Sequence, residues 1–110
     1  MINRQGFTEK DWRLFSGRIS EWRESFMNRA IQDYVALLNG NASAMDKFHD
    51  LERRMREDRK KADVPLRMSR SNMLLNMAAL IDKGIISRSE LALFSDELQE
   101  TMKFMLGDSQ

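Results

Sequence analysis

Residues 7–40 read FTEKDWRLFSGRISEWRESFMNRAIQDYVALLNG, and the fold turns on this stretch. Thr8 is placed to cap a helix, and Asp11, three residues on, favours the positive end of its dipole. Phe7 and Trp12 occupy the two positions of a hydrophobic staple. No breaker follows until Asn39-Gly40, a pair that tolerates the left-handed conformation in which helices end. The stretch therefore predicts one helix over 8–39, about 45 Å long, more than a compact domain of this size needs. Trp12, Phe15, Ile19, Trp22 and Phe26 recur at alternating spacings of three and four, the period of a core-facing stripe, and Ala30, Tyr34 and Leu37 or Leu38 extend it. Met27, Ile31, Val35 and Leu38 form an adjacent stripe, so the apolar face widens toward the C-terminal end. Gly17 lies inside the helix and is expected to mark a close helix crossing, since glycine is otherwise unfavourable there.

The rest of the chain supplies partners for that spine. Asn41–Ser43 is a short loop, and Ser43 with Asp46 restarts a helix over 43–61, antiparallel to the first because the connection is brief. Phe48, Leu51 and Met55 are its apolar positions, and the remainder is charged. Pro65 disfavours helix at Val64, so Val64-Pro65-Leu66 is expected to be extended, strapping its apolar side chains onto the bundle. A third helix over 70–83 carries Met73, Leu74, Met77, Ala78, Leu80 and Ile81 and ends at Gly84, with Ile85 behind it to close a Schellman-type contact. Ser87-Arg-Ser-Glu90 then reads as a capping box, stapled by Ile86 and Leu91, opening a fourth helix over 87–106. Its apolar positions are Leu91, Phe94, Leu98, Met102 and Met105.

Composition agrees with an all-α reading. The 110 residues hold five glycines and one proline, 42% are hydrophobic and 32% charged. That is a globular mixture weighted toward exposed helix, in one domain with one core. The net charge is +1, so charge as a whole selects no partner class, and the absence of cysteine removes disulfides, thiolate metal sites and cysteine nucleophiles. A cysteine-free chain suits a reducing cytoplasm. MINRQGFTEK has no apolar core of signal-peptide length, and Met73–Ile81 is far short of the roughly 20 apolar residues of a membrane span. A soluble, cytoplasmic protein is expected.

Signals for chemistry are sparse. His49 is the sole histidine, lies beside Phe48, and has no glycine-rich turn or nucleophile elbow to accompany it. Asp46/His49, Glu21/Glu24 and Glu97/Glu100 have the spacing of carboxylate-bundle ligands, but a di-iron site needs two Glu-x-x-His pairs. No cofactor or metal is expected, and no catalytic residue. The segment 53–70 is different, with eight basic and three acidic residues. Arg53, Arg54, Arg56, Arg59, Lys60, Lys61, Arg67 and Arg70 could neutralise phosphates. Against a helix-turn-helix, the helix after Gly84 is acidic, the wrong sign for a major groove. The basic stretch also lacks the interleaved aromatics that stack on single strands. Nine methionines, most at helical core spacing, fill irregular cores and also suit adaptable binding surfaces. LIDKGIISRSEL, Leu80–Leu91, resembles a turn common in small helical bacterial domains, and capping chemistry of that kind carries no function with it.

These observations lead to an all-α, single-domain four-helix bundle built on one long N-terminal helix, with antiparallel neighbours and an extended strap between helices two and three. The expected function is a non-enzymatic protein-interaction module. Its partner would be a second copy, as a homodimer, or another helical protein. The interface would be the surplus apolar surface of the first helix: Trp12, Phe15, Ile19, Trp22, Phe26 and Met27. The alternative is a nucleic-acid-binding accessory protein using the basic 53–70 segment.

Overall fold

The computed structural model describes residues 6–63 and 66–107 and contains no strand among them. Its helices are α1 (Glu9–Leu38), α2 (Ala44–Ala62), α3 (Met73–Asp82) and α4 (Asp96–Met105), with 3-10 segments at Arg70–Asn72 and Arg88–Leu93. The molecule is elongated, 61 × 29 × 18 Å. Length explains the shape. α3 and α4, ten residues each, are only about 15 Å long and cover the first half of α1. Beyond Phe26 the helix extends past them alongside α2.

The core lies at the first end. Phe7, Phe15 and Trp22 pack with Met73, Met77, Leu80, Ile81, Ile85, Ile86, Phe94, Leu98 and Met102. Trp22 sits between Phe15 and Phe94, with ring centroids 5.8 Å and 6.5 Å away. Leu66 of the strap packs against this cluster as expected; Val64 and Pro65 lie outside the described residues. At the end of α3, Gly84 has φ +78°. The Gly84 N–H bonds the Ile81 carbonyl at 3.0 Å and the Ile85 N–H bonds that of Leu80 at 2.9 Å, a complete Schellman motif.

Three local expectations need correction. A fourth helix over 87–106 does not run unbroken. The Ser87 hydroxyl accepts from the Ser89 N–H at 3.1 Å, only a 3-10 segment follows, and Phe94 and Ser95 are extended. The helical cap is Ser95, whose hydroxyl accepts the Leu98 N–H at 3.2 Å. The break lets Phe94 turn inward onto Trp22. Helix three likewise opens through a 3-10 turn with no side-chain cap bond. Gly17 marks no close crossing, because a Cβ built there meets nothing within 4 Å.

Asp11 joins the N-terminal ends of α1 and α4. It is 3% exposed, the sole buried charged residue among the described ones. Its carboxylate accepts the Thr8 N–H at 2.9 Å while the Thr8 hydroxyl accepts the Asp11 N–H at 3.1 Å, a capping box with aspartate in the reciprocal role. The same carboxylate accepts the Ser95 N–H at 2.9 Å and the Ser95 O–H at 2.5 Å. Burial alone would raise its pKa. The bonds from Ser95 and Thr8 outweigh burial, and the pKa is held below the ordinary aspartate value. One buried charge thus sits at the positive N-terminal ends of α1 and α4 together.

Candidate interaction surface

The expected interface stripe does not act as one surface. Phe15 and Trp22 are 0% and 5% exposed, inside the chain's own core. Trp12, Ile19 and Phe26 are half-buried against that core. Trp12 is further covered by Arg70, whose guanidinium lies 5.4 Å from the ring centroid. Met27 alone of the six belongs to the other end, where it lines a crevice with Tyr34 and Met55.

Met68, Leu75, Leu93 and Phe104 are exposed on the strap and the α3–α4 part of the chain, and the other uncovered apolar side chains lie further along. Ile31, Val35 and Leu38 on α1, with Met45, Phe48 and Met55 on α2, are each 45–65% exposed. α2 has no buried residue over its 19 positions. Local sequence accounts for the hairpin. Ser43 caps α2 by accepting the Asp46 N–H at 3.1 Å, and Arg59, Lys60 and Lys61 sit in its last turn, where cations suit the dipole. Across the hairpin, the Tyr34 hydroxyl donates to the Asp58 carboxylate. Burial, followed by that carboxylate, pushes the tyrosine pKa up to about 12.

Helical geometry sorts the hairpin into two unlike sides. With 3.6 residues per turn, Met27, Ile31, Val35 and Leu38 project to the same side of α1 as Tyr34. On α2, Met55, Phe48 and Met45 fan out from Leu51 toward one side. One crevice lined by Met27, Tyr34 and Met55, with Asp58, Arg59 and Asp63 at its α2 end, shows that these sides coincide. A second crevice, lined by Arg29, Asp33, Lys61 and Gly84 over Phe26 and Ala30, lies on the other side of Asp58 and marks the more polar side, which is also the side that faces the α3–α4 body. The apolar side is therefore the one turned away from the α3–α4 body.

The basic segment is not one surface. Arg53 pairs with Asp50 and Glu57 at 3.6 and 3.4 Å, and Arg56 with Glu52 at 3.2 Å. Arg70 binds Glu9 through Nε at 2.9 and 3.1 Å and also through Nη2. Arg67 lies in the strap, its carbonyl accepting from Asn76 at 3.0 Å. No ion pair holds Arg54, Arg59, Lys60 or Lys61 among the described residues. By helical position Arg54 and Lys61 face one side of α2 and Arg59 the other, while Lys60 shares the outside with Arg53, and Arg56 lies between Lys60 and Arg59.

His49 is exposed, its ring edge-on to Phe48 at 5.6 Å, and Glu21, Glu24, Glu97 and Glu100 are exposed as well. Among the described residues no group of three or more metal-ligating side chains comes together. No described helix is long and apolar enough to cross a membrane. No protein-family model, curated protein or solved structure matches this chain.

Proposed function

We propose that this protein is a non-enzymatic protein-interaction module whose working element is the apolar side of the α1–α2 hairpin. The observation that carries this reading is α2 itself: a 19-residue helix with no buried residue, bearing Met45, Phe48 and Met55 in the open. A helix hairpin with no second layer leaves its apolar surface in water, and contiguous patches of that kind mark interfaces. Six large side chains left roughly half exposed present on the order of 500 Å², near the upper end of patches found on monomers. Two methionines among them add conformational adaptability. The cysteine-free chain is in keeping with a reducing compartment such as the cytoplasm.

Site-specific photo-crosslinking in the cells that make the protein tests this without presupposing the partner. A photoreactive residue at Phe48 is expected to give a discrete adduct, and one at Arg29 on the polar side to give none. No adduct at Phe48, or equal yields from both positions, would refute the reading.

A further inference from the structure

We infer that the occupant of this face is a second copy of the chain, packed hairpin on hairpin about a two-fold axis that sets α2 antiparallel to α2 of its mate. The inference rests on the interaction reading above and adds the partner and its orientation.

Charge pattern selects the orientation. The first half of α2, residues 44–52, carries Asp46, Asp50 and Glu52 against Lys47; the second half, 53–62, carries six bases against Glu57 and Asp58. α2 is thus acidic at one end and basic at the other. Of the six bases, Arg59 lies on the apolar side and Arg56 borders it, so an antiparallel pairing sets these two along the acidic half of the other copy. Laid parallel, like halves meet. Such matching fixes register and suppresses wrong pairings more than it adds affinity. The alternative two-fold, with both turns at the same end, places α2 over the other copy's α1, whose second half holds Glu24, Arg29 and Asp33 and offers no matching gradient.

Shape agrees. The α3–α4 body lies on the other side of α1, so two apolar sides meet without obstruction, and an antiparallel pair keeps the two bodies at opposite ends. The centre of the apolar face, and hence the axis, falls near Val35 on α1 and Leu51 on α2. Phe48 of one copy then packs on Met55 of the other. About 500 Å² of apolar core with its polar rim approaches the ~800 Å² per partner of a standard stable pair, and the product is a four-helix layer of ordinary construction. Isologous pairing of this kind is the commonest form of protein self-assembly.

The chain has no cysteine, which makes crosslinking a clean test. Met45→Cys and Arg59→Cys lie on opposite sides of the axis, six and eight residues from Leu51. Treated with a short bismaleimide, each variant alone is expected to stay uncrosslinked, while the mixture gives a covalent dimer, at least fivefold above either alone. Lys61→Cys, on the polar side, is expected to give none in any mixture. A dimer from Met45→Cys alone, at a yield the mixture does not exceed, would overturn the orientation. No covalent dimer from any combination would overturn the second copy as occupant. The photo-adduct at Phe48 separates the two ideas: an adduct with a different protein leaves the interaction reading standing and removes this one.

Discussion

Replacing Asp11 tests whether one buried carboxylate holds the starts of α1 and α4 together. Asp11→Ala leaves the Thr8 N–H, the Ser95 N–H and the Ser95 O–H without their acceptor. Hydrogen bonds to charged groups contribute about 1.5–3 kcal/mol each. These donors are only partly buried, and water entering the gap recovers part of the loss. The expected cost is about 3 kcal/mol, which lowers Tm by roughly 15 °C in a domain of this size. Asp11→Asn keeps the shape and one acceptor oxygen but turns an NH2 toward a donor, for about 1.5–2 kcal/mol. Thr8→Ala removes only the cap, about 1 kcal/mol. Urea unfolding followed by tryptophan fluorescence measures all three, and a double-mutant cycle with Ser95→Ala is expected to show at least ~1 kcal/mol of coupling. The pH dependence has a definite sign. With its folded pKa below the ordinary value, Asp11 contributes fully above the unfolded aspartate pKa near 4, and the contribution is lost as pH falls through the folded pKa. Asp11→Asn therefore flattens the acid limb below about pH 4. Substitutions at Asp11 within ~0.5 kcal/mol of the unmodified chain, or additivity with Ser95→Ala, would refute the latch.

Other consequences follow from the same geometry. Gly17→Ala is expected to raise stability by about 0.5–1 kcal/mol, since the position is helical, exposed and open around its Cα; a loss would mean a close contact there after all. Tyr34 is the sole tyrosine, so absorbance titration reads it directly, with ionisation expected near 12. Its stabilising effect is complete below the unfolded tyrosine pKa near 10 and declines as pH rises toward 12, and titration at the ordinary value would remove the Tyr34–Asp58 bond from the account. Trp22→Ala is expected to cost about 3–5 kcal/mol, whereas Phe48→Ala, measured on the dilute monomer, should cost less than ~0.5 kcal/mol; similar losses at both positions would contradict the division into core and open face.

Much of this fold is legible in the sequence where the signal is local. Thr8 and Ser43 cap as the residues imply, and Gly84-Ile85 closes α3 through the expected motif, because each depends on residues within one turn. The break at Phe94-Ser95 is not legible, since Leu91, Phe94, Leu98 and Met102 keep helical spacing straight across it. What stops the helix is a tertiary contact, Ser95 on Asp11, between positions 84 residues apart. A weak local sign exists in Ser95-Asp-Glu, a cap residue followed by first-turn acids, but Ser87 with Glu90 is the stronger competing start. The candidate surface is half legible. A surplus of apolar face on α1 follows from its length alone, and Met27, Ile31, Val35 and Leu38 stand out as a second stripe. Which stripe stays open depends on where two short helices dock, and the large aromatics, Phe15 and Trp22, go to the core because they bury the most area.

Sedimentation equilibrium at micromolar concentration measures the central claim, that the hairpin's apolar side is an interface between two copies. The unmodified chain is expected at twice its 12.9 kDa mass, and the Ile31→Glu/Phe48→Glu variant at the monomer mass with its tryptophans still buried. A clean monomer for the unmodified chain, or a dimer that survives both substitutions, would contradict the account.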